Sequence, residues 1–233
     1  MKVEVLESAE QATKAVAKKI DSLLESTMDP VLLFVSGGSS LKILDHIQNA
    51  SDRLTVAVLD ERFSNDPGVN NFFQLDETDF ADRVNDAGGQ FITSAPGDMD
   101  IEEFTRDWQG RIESWIKNNP RHKVFAIFGM GPDGHTAGIF PYPEDPEFFR
   151  THFIDSDDLV VGYDVGEKNE YIDRVTTTPK LFEMIDYATL FACGENKREK
   201  LAQLLNDDAV RPNELPVSLI KRVKDVEVFT DIK

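Results

Sequence analysis

The sequence predicts an α/β protein with a three-layer, Rossmann-like architecture, in which helices flank a mainly parallel sheet. The first observation behind this prediction is a series of short, uninterrupted apolar runs, which are typical of strands buried on both faces of a sheet. The second is that segments with apolar residues at helical spacing lie between these runs. Parallel neighbours need a crossover that a helix supplies, so this alternation favours a parallel sheet, in which ligands bind beyond the carboxyl ends of the strands.

The elements follow from these patterns. Five apolar runs are predicted as strands: Val31–Val35, Thr55–Leu59, Lys123–Phe128, Tyr187–Cys193 and Val226–Thr230. Four segments are predicted as helices: Ser8–Met28, Leu41–Ile47, Ile101–Asn118 and Glu195–Leu205. Ser8 and Gln11 form a potential capping box at the start of the first helix. The irregular segment Pro141–Asp158, with three prolines, is predicted as a loop or short helices.

The composition is that of an ordinary globular protein, with 40% hydrophobic and 29% charged residues among 233. No Gly/Ser-rich linker, repeat or low-complexity tract divides the chain, so we expect a single domain over residues 1–233. The lone cysteine, Cys193, excludes an internal disulfide and a cysteine-rich metal site, and its apolar surroundings favour a buried thiol. The oligomeric state stays open between monomer and dimer.

The charge argues against two classes of partner. Acidic residues number 43 against 25 basic ones, and the resulting net charge of −18 repels nucleic acid phosphates and anionic lipid. No apolar segment approaches the roughly 20 residues of a membrane span. We therefore expect a cytoplasmic protein that binds neither nucleic acid nor membranes.

A loop rich in serine and glycine follows the first predicted strand. The loop consists of Ser36, Gly37, Gly38 and Ser39. Its backbone N–H groups, its hydroxyls and the positive end of the following helix dipole together suit a phosphate. Two glycines at a strand-to-helix turn also occur for purely conformational reasons, so both interpretations stay open. The loop lacks the GK[ST] ending of a P-loop, which argues against hydrolysis of a nucleoside triphosphate.

A second glycine-rich loop follows the third strand, where Gly129, Gly131 and Gly134 form G-x-G-x-x-G. This pattern indicates dinucleotide binding only where a long helix follows it. Pro132 lies inside the motif and three more prolines come soon after it, which leaves little room for that helix. The glycines are better explained by a close approach of the backbone to a smaller ligand.

A histidine follows this glycine turn directly. His135, beside Asp133, is placed at the mouth of the predicted cleft, either as a general base or as a group that only hydrogen-bonds its own loop. The other three histidines are scattered, and neither H-E-x-x-H nor C-x-x-C occurs, so no metal site is expected.

Further charged residues lie at strand ends and turns. Asp60, Glu61 and Arg62 end the second strand, either as a solvated turn or with an acid or base directed into the cleft. Arg174 and Lys197 adjoin turns, where surface charge is the default interpretation.

Taken together, these pieces resemble the 6-phosphogluconolactonase and glucosamine-6-phosphate isomerase family along nearly the whole chain. The motifs that carry the resemblance are SGGSS (Ser36–Ser40), LDER (Leu59–Arg62), GMGPDGHTAGIFP (Gly129–Pro141), RVTTTP (Arg174–Pro179) and CGENK (Cys193–Lys197). The third motif is highly specific and the others are moderately so. The resemblance implies an α/β fold of the ribose-5-phosphate isomerase kind, a hexose-6-phosphate-like substrate, and no metal or organic cofactor.

Within the family, two reactions must be distinguished. The deaminases look like GHIAFNEP after the glycine turn and use the glutamate of that phrase together with the histidine in sugar-ring opening. Phe140 stands at the place of that glutamate here, and a phenyl ring cannot relay a proton. The resemblance therefore favours hydrolysis of a small phosphorylated sugar lactone, 6-phospho-D-glucono-1,5-lactone, over deamination of an aminosugar phosphate.

The resemblance also implies roles for individual residues. His135 is expected to be the general base that activates water, with Asp133 orienting its imidazole. Asp60 is a further candidate acid or base because of its position at the end of the second strand. Arg62, or the N–H groups near Gly129 and Gly131, are candidates to stabilise the oxyanion. The phosphate is expected to be held by Ser36, Gly37, Gly38 and Ser39, with Arg174 and Lys197 closing on it.

The chain departs from the family's pattern after Arg62. Lactonases typically carry a valine-proline pair and a longer acidic loop that ends in Ser-Asn, whereas this chain reads DERFSNDPGVNNFF. Asn65, Asn70 and Asn71 are alternative counterparts of that asparagine. A further alternative is sugar-phosphate binding without chemistry, as in repressors of this fold, but the DNA-binding domain of such regulators needs length and positive charge that this chain lacks.

Overall fold

The computed structural model describes residues 1–233 and has the predicted architecture, a mainly parallel sheet flanked by helices. The strands are β1 (Lys2–Val5), β2 (Val31–Val35), β3 (Leu54–Val58), β4 (Asp60–Arg62), β5 (Gln90–Phe91), β6 (Lys123–Gly129), β7 (Val160–Asp164), β8 (Asp173–Thr177), β9 (Tyr187–Phe191) and β10 (Val226–Thr230). The α-helices are α1 (Ala9–Glu25), α2 (Leu41–Leu44), α3 (Asn71–Asp76), α4 (Asp79–Asp86), α5 (Ile101–Asn118), α6 (Pro146–Phe149), α7 (Pro179–Phe182) and α8 (Arg198–Asn206). None of these helices combines the length and the apolar character that a membrane crossing would need.

The large sheet has seven strands in the order β1-β10-β9-β6-β2-β3-β5, and all neighbours in it are parallel. The five predicted strands form its interior. The sequence does not predict the two edge strands, because β1 exposes all four of its residues and β5 has only two. Neither edge strand therefore shows a buried apolar run.

The interior strands are apolar on both faces because other elements cover both faces. Every residue of β2, β3 and β9 is buried, and most of their side chains belong to a continuous core of 62 buried apolar residues. Helix α1 packs against β9 and β10. Helix α5 packs against β7 and β8 and reaches β3, where the Trp115 indole N–H donates a hydrogen bond to the Thr55 hydroxyl at 2.8 Å. This coverage explains why continuous apolar runs identify the strands.

The predicted helices are present, Ile101–Asn118 with its predicted bounds and the other three with altered ends. Ser8 caps α1 as predicted, since its hydroxyl oxygen accepts a hydrogen bond from the Gln11 N–H at 3.2 Å. The predicted helix Leu41–Ile47 begins after a 3₁₀ turn and already ends at Leu44. The segment Pro141–Asp158, predicted as a loop or short helices, contains α6.

A second, antiparallel sheet with the order β4-β8-β7 corrects the interpretation of Asp60 to Arg62 as a turn. The Leu59 N–H still bonds to the Val35 carbonyl at 2.9 Å, and the next three residues leave the large sheet and pair with β8. Both Asp60 and Glu61 are buried, so a solvated turn is wrong. Three charged residues carry no apolar pattern, and β4 is a strand only because a distant partner pairs with it.

The strand order also explains where a ligand can bind. Strands β6, β2 and β3 are neighbours in the large sheet, so the segments that follow them lie at one edge of it, as predicted. Strand β4 continues from β3 at this same edge and brings the small sheet to it.

Candidate active site

A pocket of about 280 Å³ opens at this edge. The predicted site residues that line it are Ser36, Gly37, Gly38, Ser39, Asp60, Arg62, Gly129, Gly131, His135, Arg174 and Lys197. The predicted residues Asp133 and Gly134 belong to the His135 loop without lining the pocket. The structure contains no cluster of His, Cys, Asp and Glu side chains that could hold a metal ion. All five motifs singled out in the sequence therefore contribute to one cavity.

The serine- and glycine-rich loop is fastened to the neighbouring strand. The Ser36 hydroxyl oxygen accepts a hydrogen bond from the Gly129 N–H at 3.1 Å, which joins the ends of β2 and β6. Ser40, which the sequence analysis did not single out, is buried, and its hydroxyl lies so close to Gly129 that a Cβ there would be 2.9 Å from the Oγ. The loop thus has a fixed position at the pocket wall.

His135 is held from two sides. Its Nδ1 lies 2.6 Å from Asp133 Oδ1, and the same oxygen accepts the His135 backbone N–H at 3.1 Å. The ring of Phe140 stacks on the imidazole, with 4.6 Å between the ring centroids. Burial of the Asp133 carboxyl raises its pKa, but the hydrogen bonds and charge of His135 outweigh this effect, so the pKa lies below its ordinary value. An ionised Asp133 carboxylate can only accept hydrogen bonds, so Nδ1 of His135 carries the ring proton. The other ring nitrogen, Nε2, stays free.

Two glycines of this loop are required for different physical reasons. A Cβ at Gly131 would collide with the His135 imidazole, so the glycine allows the ring to lie directly on the backbone. Gly134 has a φ of +86° in the turn that the Gly134 N–H closes on the Gly131 carbonyl at 3.1 Å. The motif therefore serves the histidine loop, in agreement with the argument against a dinucleotide site.

Two arginines face each other across the small sheet. Arg62 of β4 and Arg174 of β8 are directly paired residues in the antiparallel ladder. Arg174 forms an ion pair with Asp60, and both side chains are only 7% exposed. The interpretation of Arg174 as a surface charge is therefore wrong. The Arg62 guanidinium lies over the Tyr171 ring at 4.8 Å. Like charges placed opposite each other are unfavourable, and Asp60 balances only one of the two positive charges, so this pairing favours an anionic ligand.

The third basic residue, Lys197, lies just before α8. Burial lowers the pKa of its amine, although Cys193 and Asp231 nearby act in the opposite direction. Cys193 itself is buried, as predicted, and burial raises the pKa of its thiol to about 11. The pocket thus has three basic side chains and one carboxylate in a protein with a net charge of −18. This local charge can attract an anion in spite of the overall charge.

The lining also includes Thr136, Ala137 and Gly138, which the sequence did not indicate as site residues, and Asn71, one of the three alternatives that it left open. Its Nδ2 donates a hydrogen bond to the Asp60 carbonyl at 2.9 Å. Of the other two alternatives, Asn70 caps α3 through the Phe73 N–H at 2.9 Å, and Asn65 is tied to the Gly97 backbone outside the pocket. Two adjacent asparagines carry no signal that separates a cap from a pocket residue.

The turn after Thr136 also reaches the pocket. Ala137 and Gly138 both have positive φ, +46° and +66°. The Thr176 hydroxyl donates a hydrogen bond to the Ala137 carbonyl, and the Tyr163 hydroxyl donates one to the Gly138 carbonyl. A Cβ at Gly138 would lie 2.7 Å from the Asp60 carboxylate, so only glycine allows this close approach.

Glu61 points away from the pocket and is fully buried. Burial raises the pKa of its carboxyl from 4.5 to about 8, against the opposing effect of hydrogen bonds from Asn71, Ser94 and Phe72. The negative charge of Asp60 adds a small further increase.

We expect this carboxyl to make stability depend on pH. Its contribution is fully present below the unfolded-state pKa of 4.5 and is lost as pH rises through about 8, because only the folded chain still holds the proton in that window. The free energy of unfolding should therefore fall by up to about 1.4 kcal/mol per pH unit on this account. Urea denaturation of wild type and Glu61→Gln across this window isolates the effect, since glutamine does not titrate. A difference between the two proteins that stays constant with pH would contradict the raised pKa.

The chain is similar to known proteins over nearly its whole length. The family described as glucosamine-6-phosphate isomerases/6-phosphogluconolactonase matches residues 6–229. Human 6-phosphogluconolactonase is 25% identical over 217 residues, which cover 88% of this chain and 80% of the human protein. The crystal structure of 6-phosphogluconolactonase from Thermotoga maritima aligns with a TM-score of 0.76 and 22% identity over 98% of both chains. A monomeric glucosamine-6-phosphate deaminase aligns with a TM-score of 0.72 and 17% identity over 99% of this chain and 97% of that one. Enzymes named for either reaction therefore share this fold.

Proposed function

Because this chain belongs to the glucosamine-6-phosphate isomerase/6-phosphogluconolactonase family, we propose that it hydrolyses 6-phospho-D-glucono-1,5-lactone to 6-phospho-D-gluconate. One observation carries the choice between the family's two reactions. The His135 imidazole lies in the pocket with Phe140 stacked on it, so an apolar ring occupies the place where a deaminase has its glutamate. The names of the relatives found in human and Thermotoga maritima support the same choice.

In the proposed mechanism, His135 Nε2 removes a proton from a water molecule as the water oxygen attacks C1 of the lactone. The ionised Asp133 carboxylate holds Nδ1–H and stabilises the imidazolium that forms. The bond between C1 and the ring oxygen then breaks, and the imidazolium returns its proton to that oxygen. Water is thus added across the C1–O bond with no other reactant.

The attack places negative charge on the former carbonyl oxygen. Arg62 and the backbone N–H of Met130, between Gly129 and Gly131, line the same pocket as His135 and are the proposed donors to this oxyanion. The N–H groups of Gly129 and Gly131 themselves already donate to the Ser36 hydroxyl and the His135 carbonyl. Asp60, paired with Arg174, fixes the orientation of that guanidinium. No metal or organic cofactor takes part in this proposal.

The substrate phosphate is proposed to lie at the serine- and glycine-rich loop. Ser36, Gly37, Gly38 and Ser39 supply hydroxyl and backbone donors, and Arg174 and Lys197 supply positive charge. Arginine offers a planar fork and lysine a point charge, which together suit a phosphate dianion. We place this reaction in the oxidative pentose phosphate pathway of the cytoplasm.

The test is the decay of freshly generated 6-phosphogluconolactone, followed by proton release. Wild-type protein is expected to accelerate the decay well above the spontaneous rate, with a turnover number on the order of 10 s⁻¹, the median for enzymes. The background decay without protein serves as the control. An unchanged decay together with ammonia release from glucosamine 6-phosphate would identify a deaminase instead, and binding of either sugar phosphate without turnover would identify a sensor.

A further inference from the structure

The buried carboxyl of Glu61 makes contacts that the proposed mechanism does not use. Because side chains alternate along a strand, Asp60 and Arg62 face the pocket while Glu61 faces the opposite side. Four donors meet its two oxygens. The N–H groups of Arg62 and Asn71 lie 2.9 and 2.5 Å from Oε1, and the Phe72 N–H and Ser94 hydroxyl lie 3.0 and 2.8 Å from Oε2.

Two of these donors begin helix α3. The first N–H groups of a helix have no partner inside it, and here Glu61 accepts those of Asn71 and Phe72 while Asn70 accepts the third, from Phe73. Glu61 therefore holds the start of α3 against β4.

The residue at the start of α3 reaches the pocket. The Asn71 amide bridges two walls, since its Nδ2 bonds to the Asp60 carbonyl and its Oδ1 lies against Gly37 so closely that a Cβ on Gly37 would overlap it. This Oδ1 is buried and has no hydrogen-bond partner, so packing and not its own bonding keeps it there. Asn71 therefore separates the Ser36–Ser39 loop from the strand that carries Asp60 and Arg62.

We propose that Glu61 is a positioning residue: by holding the start of α3, it sets Asn71 between the two walls and so fixes the distance from the phosphate loop to Asp60 and Arg62. This inference rests on the proposed function, because it takes the occupant of the pocket to be a sugar phosphate. A sugar phosphate must also reach Arg62 and His135, whereas inorganic phosphate needs only the loop with the two basic side chains Arg174 and Lys197. A change in wall spacing should therefore weaken the first ligand more than the second.

The experiment compares the dissociation constants of 6-phosphogluconate and inorganic phosphate by calorimetry in wild type, Glu61→Gln, Asn71→Ala and the double variant. In Glu61→Gln the amide NH₂ faces a backbone N–H, which displaces the start of α3. We expect 6-phosphogluconate to bind about tenfold more weakly in each single variant, inorganic phosphate to change less than about twofold, and kcat for the lactone to fall as well, since a small misplacement of reacting groups is costly. The double variant should bind no more weakly than Asn71→Ala, because Glu61 acts through Asn71.

Controls separate positioning from a loss of folding. Glu113→Gln is the matched control, since Glu113 is an exposed glutamate of α5, and it should leave both constants unchanged. If Glu61→Gln fails to fold, Ser94→Ala removes one donor from the carboxyl and should change the ratio of the two constants in the same direction by a smaller factor. A merely structural role would lower the melting temperature and leave the ratio unchanged.

Two results would overturn the inference: an unchanged ratio in Glu61→Gln and Ser94→Ala, which includes equal weakening of both ligands, or additive effects in the double variant. Failure of the proposed function is seen separately. In that case wild type does not bind 6-phosphogluconate or accelerate lactone decay, and the same ratio measured with glucosamine 6-phosphate supports or overturns the positioning role.

Discussion

Replacing His135 with alanine is expected to lower kcat for lactone hydrolysis about 10²- to 10⁴-fold, which is the usual contribution of a general base. The imidazole is the group in the pocket with a free nitrogen next to an ionised carboxylate, Asp133. Without it, water must attack with no acceptor for its proton. The measurement is proton release from fresh lactone, corrected for the spontaneous rate.

The fold should survive this change, because the His135 side chain is one-third exposed. His122→Ala is the matched control: it removes a partly buried histidine that directly precedes β6, at the end of that strand away from the pocket. We expect that control to retain full activity. Binding of 6-phosphogluconate should remain within a few-fold of wild type in His135→Ala. Turnover that stays within tenfold of wild type would rule out His135 as the base.

Arg174→Ala is expected to change both stability and binding. It leaves the Asp60 carboxylate, which is 7% exposed, without its ion-pair partner. Removal of one member of a buried pair costs about 3–5 kcal/mol, so the free energy of unfolding should fall by that amount in urea denaturation. Loss of a charged hydrogen-bond donor should also weaken inorganic phosphate roughly 10- to 100-fold in calorimetry.

Two comparisons separate these effects. Arg222→Ala removes an arginine from an exposed pair with Glu183, with 2.9 Å between Nη1 and Oε1, and should cost less than about 1 kcal/mol. The second comparison is Asp60→Asn in the Arg174→Ala background, which should recover much of the stability without recovering phosphate affinity. A loss of stability in Arg174→Ala as small as that in Arg222→Ala would contradict the buried ion pair, and unchanged phosphate binding would contradict the proposed role of Arg174.

The two charged pairs of the site differ in how well the sequence predicts them. Asp133 and His135 are two residues apart, so a short loop brings them together and the pair is visible in the sequence. Asp60 and Arg174 are 114 residues apart, and their ion pair forms only because β4 pairs with β8. Nothing in the sequence around either residue predicts that pairing, so Arg174 has the pattern of a surface charge.

The sequence by itself determined the parallel sheet and the loops at its edge. Burial on both faces requires continuous apolar runs, and the serine- and glycine-rich loop and the histidine loop have local residue patterns. Only the tertiary structure decided which of three adjacent charged residues faces the pocket. Alternation along β4 directs Asp60 and Arg62 to one side and Glu61 to the other, and this alternation exists only once β8 has made the segment a strand. The same is true of Asn71, which reaches the pocket because Glu61 binds the start of α3.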